Sequence, residues 1–193
     1  YGGGGNDVST GVEIAKEAAQ YDMKVLLDFH YSDFWAEPAV QLIPKAWKKD
    51  VNNTEKMCSD VYDFTKESIQ KFKDGGANIG MVQVGNEITN GLLGIYSNRD
   101  KGESFNVIWG DKKKSTEVNK YLKAGIKAVR ECTPQALVAL HLETPNVWKY
   151  KTIMNTWKRD NVDYDVLGSS YYPFWSIAAK ANTPKTLKDV QTL

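Results

Sequence analysis

Residues 81–91 read "MVQVGNEITNG", an apolar run that ends on an amide and a carboxylate. The run from 79 to 85 has strand character, and strand interiors reject charge, so Glu87 at its mouth needs a physical reason. Taken alone, the stretch leaves three open: a catalytic acid, an acid at a helix N-terminus favoured by the macrodipole, or a solvated loop residue.

The surrounding sequence alternates two periodicities. Helical spacing covers 10–21, where Val12, Ala15, Ala18 and Ala19 fall on one face and Thr10 with Glu13 offers a capping box. An apolar strand follows at 24–29, then a helix over 54–73 that Gly75 and Gly76 stop. After the strand at 79–85, the pattern predicts a helix over 116–131, a strand at 137–141, a helix over 147–159 and a strand at 165–170. Pro184 opens a last helix. The strands read as apolar on both faces, which belongs to a parallel sheet covered by helices. No repeat, low-complexity tract or linker interrupts the chain, so residues 1–193 are read as one domain.

Polar and aromatic residues choose between a doubly wound sheet and a TIM barrel. They gather at the C-terminal end of each strand: His30 to Trp35, then Asn86 and Glu87, then His141 to Glu143, then Tyr171 to Trp175. Chemistry at four consecutive strand ends is the barrel pattern, whereas a doubly wound sheet concentrates it at one switch point. The expected fold is therefore α/β, a TIM barrel.

The composition excludes several functions. Of 193 residues, 41% are hydrophobic and 25% charged, an ordinary globular balance. With 25 basic against 24 acidic residues the formal charge is +1, which offers no footprint for nucleic acid or an anionic membrane. No apolar run approaches the roughly 20 residues of a membrane span. Cys58 and Cys132 form no CxxC or Cys/His cluster, so no metal site is expected. They read as two half-buried thiols, with pairing left open. The opening "YGGGGND" lacks the strand, lysine and spacing of a phosphate-binding loop and reads as a flexible lead into the first helix.

The segment "DFHYSDFWAEP" (28–38) packs hydrogen-bonding side chains and aromatic rings directly after a buried strand. It suits a loop that fills a gap under a helix. It equally suits a sugar site, where carboxylate and imidazole groups bind hydroxyls and the pyranose face lies on aromatic rings. Glu87 at a barrel mouth would have its pKa raised by apolar walls and donate a proton near neutrality. His30 and His141 close two strands at matching places, which favours substrate contact over a metal, since no third ligand has suitable spacing.

The motifs "VLLDFHYSDFWAEPA", "MVQVGNEITNG" and "VDYDVLGSSYYPFW", with the opening "YGGGGND", resemble in order and spacing the endo-beta-1,4-galactanases of glycoside hydrolase family 53. The likeness spans essentially the whole chain. It implies a secreted, retaining enzyme with a clan A TIM barrel that cuts the beta-1,4-galactan chains of pectic arabinogalactan, monomeric at full length. It implies that Glu87 is the general acid/base and that Asn86 contacts the sugar 2-hydroxyl. His30, Asp33, Trp35, Tyr171 and Tyr172 would line the subsites nearest the cleavage point, with His141 on the same rim.

Retaining hydrolysis needs a second carboxylate about 5–5.5 Å from the first. In the resembled family this nucleophile closes the seventh strand, and alignment on the motifs assigns this chain strands three to six. The nucleophile is thus expected outside it. Glu143 in "HLETP" is the alternative within the chain and fits better as a subsite residue. No cofactor is expected here, and any calcium would lie in C-terminal loops beyond the chain, as in some bacterial relatives. Gly94 stands where the family usually has Trp, and Trp109 in the polar loop 95–115 is a candidate for the missing ring. Two other functions stay open: a non-catalytic galactan-binding fragment, and another clan A endo-glycanase such as a beta-mannanase or xylanase.

Overall fold

A computed structural model describes residues 5–175 and 182–193; the first four residues of the glycine-rich opening and the side chain of Trp175 lie outside the description. Helix α1 (Val8–Ala19) leads into strand β1 (Val25–Phe29), and α2 (Thr54–Asp74) into β2 (Ile79–Val84). A hairpin, β3 (Gly91–Leu92) with β4 (Ile95–Tyr96), and a short helix α3 (Asn106–Trp109) precede α4 (Lys112–Cys132). Then come β5 (Leu137–Glu143), α5 (Val147–Arg159), β6 (Val166–Ser170) and α6 (Pro184–Val190).

Strands β1, β2, β5 and β6 form one sheet in that order, every pair parallel. Spatial order follows chain order with no reversal, so the sheet is singly wound. A doubly wound sheet would turn back at a switch point. Helices α1, α2, α4, α5 and α6 pack as successive neighbours along the arc. This is a four-strand arc of the TIM barrel that the strand-end chemistry predicted.

The expectation of strands apolar on both faces needs correction. Val82, Val84, Val138, Leu140 and Leu142 face the helices and are fully buried against Val61, Ile69, Leu122, Val129, Ile153 and Trp157. The alternate residues form the other face, which carries Asp28, Gln83, His141 and Ser170 toward its C-terminal edge. Leu26 on that face is 51% exposed. Runs such as "VLLDF" look continuous because a few apolar residues also occupy the inner face.

Local signals set the helix starts. Asp7, Asn53, Asp111, Asn146 and Thr183 each cap a helix by accepting from a backbone N–H two or three residues on. The first helix therefore starts at Val8, ahead of the predicted Thr10–Glu13 box. Asp7 already accepts the Thr10 N–H at 3.0 Å together with the Ser9 and Thr10 hydroxyls. Those hydrogen bonds hold its carboxyl at about 2. The helix at 116 likewise begins earlier, at Lys112, because Asp111 takes the Lys113 and Lys114 amides. Strand β5 runs on to Glu143.

Loop 95–115 is largely structured. Leu93 and Gly94, both with positive φ, close the β3–β4 hairpin as a two-residue turn of the primed type. A Cβ on Gly94 would also lie 2.7 Å from Ile43 Cδ1, so a side chain at position 94 requires Ile43 to shift. Trp109 does not replace a ring at the cleft. It is 3% exposed, donates Nε1–H to Thr89 O at 2.6 Å and meets Trp157 edge to face. The indole locks the turn that follows Glu87. Cys58 and Cys132 are free, half-buried thiols, as expected, and burial pushes the Cys58 thiol up to about 11.

Candidate active site

Strand β2 delivers Asn86 and Glu87 through a kink. Gly85 has φ 87°, and Glu87 sits in the left-handed region at φ 47°, ψ 48°. For a non-glycine residue that conformation costs about 1–2 kcal/mol, and it persists where surrounding contacts over-determine it. Those contacts are present. Gln41 Nε2 donates to Asn86 O at 2.9 Å, Glu87 N–H donates to His141 Nδ1 at 3.2 Å, and Asn90 Nδ2 donates to Pro38 O at 3.0 Å.

The Glu87 carboxyl group is half-buried and accepts a hydrogen bond from the Ser170 hydroxyl on β6. Burial pushes its pKa up from the ordinary carboxylate value. The Ser170 hydrogen bond opposes that rise, and the negative charges of Glu143 and Glu37 add to it. A carboxyl group that keeps its proton closer to neutrality is suited to general acid work.

A hydrogen-bonded layer crosses all four strands beneath it. Ser170 Oγ lies 2.9 Å from His141 Nε2, and His141 Nδ1 lies 2.9 Å from Asn86 Oδ1. Gln83 Nε2 donates to Asn86 Oδ1 at 3.2 Å and to Asp28 Oδ1, and Asp28 Oδ2 lies 3.0 Å from His30 Nε2. His30 Nδ1 accepts the Ala36 N–H at 3.0 Å, which makes Nε2 the protonated nitrogen of a neutral ring facing Asp28. Burial pushes the His141 pKa down, so that ring is neutral at neutral pH.

The predicted residues divide by position. Glu87, Asn86, His30 and His141 all belong to this layer. Asn86 is 7% exposed and its side chain is engaged at both ends, Nδ2–H donating to Ala36 O at 2.8 Å. It is a structural node as well as a neighbour of Glu87. Trp35 is 60% exposed and lies edge-on to His30, ring centroids 5.5 Å apart, so an open indole face stands beside the layer. Tyr172 is 56% exposed, one residue beyond the neighbour of Ser170 in the alternation. Asp33 is exposed and accepts the Lys45 N–H at 2.8 Å, which ties it to its own loop.

Tyr171 is not brought to the site. It lines a groove of about 510 Å³ with Tyr150, Met154, Tyr164 and Leu187, on the helix-facing side of β6. A one-residue step along a strand reverses the face, and Ser170 already takes the inner position. Glu143 does stand near Glu87, but its carboxylate is engaged by Lys149 Nζ at 3.2 Å, both side chains largely buried. Ser170, Gln83 and Asp28 went unpredicted. Alternation would have found them: Ser170 shares a face with Gly168, and Gln83 is a lone polar residue inside an apolar strand.

Among the described residues, no group of three or more His, Cys, Asp and Glu side chains is placed to hold a metal ion. The site is built from organic acid/base groups and aromatic rings.

Comparison with known proteins fits that chemistry. The sequence profile described as Glycosyl hydrolase family 53 matches residues 1–193. The protein named Endo-beta-1,4-galactanase from Bacillus subtilis (strain 168) is 45% identical over 176 residues, covering 91% of this chain and 37% of its own length. The Arabinogalactan endo-beta-1,4-galactanase of Cellvibrio japonicus (strain Ueda107) is 32% identical, with 96% and 46% covered. Among solved structures, the Ignisphaera aggregans GH53 catalytic domain superposes with TM-score 0.77 at 32% identity, covering 91% of this chain and 44% of that one. This chain thus spans half or less of the length of these relatives. It belongs to glycosyl hydrolase family 53.

Proposed function

We propose that this chain carries the acid/base half of an endo-beta-1,4-galactanase, acting on the beta-1,4-galactan of pectic arabinogalactan outside the cell, in a protein that is a monomer. The observation that carries the reading is Glu87. It is a half-buried carboxyl group raised in pKa, at the C-terminal end of a barrel strand, in a family whose named relatives are endo-beta-1,4-galactanases.

In a retaining double displacement, Glu87 donates its proton to the glycosidic oxygen as a second carboxylate attacks the anomeric carbon. The aglycone leaves with that proton, and Glu87, now ionised, takes a proton from the water that cleaves the glycosyl-enzyme bond. We assign the second carboxylate to a barrel strand beyond the four described. Glu143 is bound to Lys149 and is the weaker candidate. His30, Trp35 and Tyr172 supply hydroxyl contacts and ring faces for the sugars on either side, while Asp33 acts at the cleft edge and His141 works through Glu87. Asn86 reaches the 2-hydroxyl with the amide hydrogen that Ala36 does not take.

The test is reducing-sugar release from beta-1,4-galactan, beta-mannan and xylan by a polypeptide long enough to carry both carboxylates. Galactan should be cut well ahead of the other two, and Glu87→Gln should lower its turnover about 10²–10⁴-fold. Preferred cleavage of mannan or xylan overturns the substrate, and binding without turnover makes the protein a galactan-binding one.

A further inference from the structure

His141 has two complete hydrogen-bonding solutions, and its neighbours make them mutually exclusive. Nδ1 sits between a donor, the Glu87 N–H at 3.2 Å, and an acceptor, Asn86 Oδ1 at 2.9 Å. Nε2 faces the Ser170 hydroxyl at 2.9 Å, which can donate or accept, and that hydroxyl also reaches Glu87 Oε1. A neutral imidazole carries one proton, so it satisfies either the backbone donor or the amide acceptor, never both.

Each solution matches one state of Glu87. With Glu87 ionised, the Ser170 hydroxyl donates to the carboxylate and therefore accepts at its own oxygen. His141 supplies that hydrogen from Nε2–H, leaving Nδ1 free to accept the Glu87 N–H. With Glu87 protonated, the carboxyl O–H donates to Ser170 Oγ, and the Ser170 hydrogen turns to Nε2. The His141 proton then sits on Nδ1 and is donated to Asn86 Oδ1. Between the two states one proton is lost, from Glu87. Ser170 keeps its hydrogen and rotates, and His141 exchanges the nitrogen that carries its proton.

We propose that Ser170 and His141 are positioning residues that couple the tautomer of a neutral His141 to the protonation of Glu87, so the carboxyl keeps its hydrogen bond to Ser170, and Ser170 its hydrogen bond to His141, in the acid form and the base form alike. This rests on the reading of Glu87 as the acid/base. It assigns a role to Ser170, which lies on β6 and belongs to neither the acid nor the aromatic subsites. Its value to a double displacement is direct: Glu87 must act as acid in the first step and base in the second, and the chain from the carboxyl through Ser170 to His141 stays hydrogen-bonded in both, while Nδ1 exchanges the Glu87 N–H for Asn86 Oδ1.

The surrounding charges are consistent with a ring that stays neutral. Burial opposes the cation most, His30 just past β1 adds to that, Asp28 on β1 favours the cation, and the net direction is down. Around Glu87 stand Glu37 from the loop after β1, Glu143 on β5 and His30. Lys149 on α5 is drawn toward the same negative groups.

The chain has only two histidines, so the coupling is readable directly. Long-range proton–nitrogen NMR of histidine-labelled protein reports the tautomer of each ring, and a carbon label reports the Glu87 carboxyl; His30→Gln and Glu87→Gln assign the signals. His141 should pass from the Nδ1–H to the Nε2–H tautomer at the midpoint of the Glu87 titration. A His141 that becomes an imidazolium over that range, or keeps one tautomer, overturns the proposal without any substitution being made.

Ser170→Ala should uncouple the two titrations and raise the Glu87 midpoint by about one pH unit, the loss of one hydrogen bond to a charged group. Ser170→Thr should restore both. An unchanged midpoint and an unchanged tautomer response in Ser170→Ala also overturn it. The galactan assay is independent: turnover with no tautomer change defeats this inference alone, whereas a coupled tautomer with no hydrolysis of any glycan defeats the functional reading alone.

Discussion

The two faces of strand β5 share a backbone and differ in everything else. Val138, Leu140 and Leu142 point at α4 and α5 and are fully buried among apolar side chains. His141 and Glu143, the residues between and beyond them, carry hydrogen bonds to Asn86, Ser170 and Lys149. The helix face buries apolar area and holds the arc together. The inner face tolerates half-buried polar groups because they are paired, His141 across strands and Glu143 with Lys149 on α5. Period-two alternation lets one seven-residue segment do both, so stability and chemistry should respond to different substitutions.

The largest separation is expected at Glu87. Glu87→Gln should lower turnover of galactan about 10²–10⁴-fold, the range for a lost general acid, with little effect on binding. Its stability should show the reverse sensitivity. Because the folded-state pKa of Glu87 is raised, its stabilising contribution is complete below the unfolded value of 4.5 and is lost as pH rises through the folded value. Melting temperature should fall over that window in the native chain and fall less in Glu87→Gln. Equal pH profiles would break the distinction between the faces.

Next comes Leu140→Ala on the helix face. A fully buried leucine replaced by alanine costs about 2–5 kcal/mol through lost transfer energy and the cavity left behind. Denaturant unfolding should show that loss, while the pH dependence of the remaining folded enzyme should be unchanged. A smaller effect is expected at Gly94. Gly94→Ala must place a Cβ 2.7 Å from Ile43 Cδ1 at φ 82°, and the conformational part alone costs about 1–2 kcal/mol. Adding Ile43→Ala should recover only the steric share. Full recovery would mean the turn is not left-handed.

Much of this division was legible in advance, for reasons that particular residues make plain. Glu87 announced itself because a charge after an apolar strand is rare, and the alternation of strand and helix indicated a barrel. The helix boundaries moved by up to four residues because Asp7 and Asp111 outcompete later capping candidates, which only the cap geometry reveals. Tyr171 was misplaced since an aromatic run carries no label for which face each ring takes. Trp109 misled for a similar reason: an indole in a polar loop looks like a platform until its N–H is found bonded to Thr89. Ser170 was invisible as chemistry, because a serine in "SSYYPFW" gains its meaning from Glu87 and His141, eighty-three and twenty-nine positions away.

The finest test lies at the boundary between the two faces, where Lys149 at the start of α5 reaches over to Glu143 at the end of β5. Both charges act on Glu87 with opposite signs: Glu143 raises its pKa, and Lys149 and Glu87 attract each other. Glu143→Gln removes the repelling carboxylate and leaves the ammonium, so the Glu87 midpoint should drop by about half a pH unit. Lys149→Met removes the attraction and leaves the carboxylate, so the midpoint should rise, by less than it drops in Glu143→Gln. The double variant should lie between the two single variants. The measurement is the pH dependence of kcat/KM or the carbon signal of Glu87. Two shifts of the same sign would mean that the substitutions act by disturbing packing at the end of β5, and the inner face would then be less independent of the helix face than its hydrogen bonds indicate.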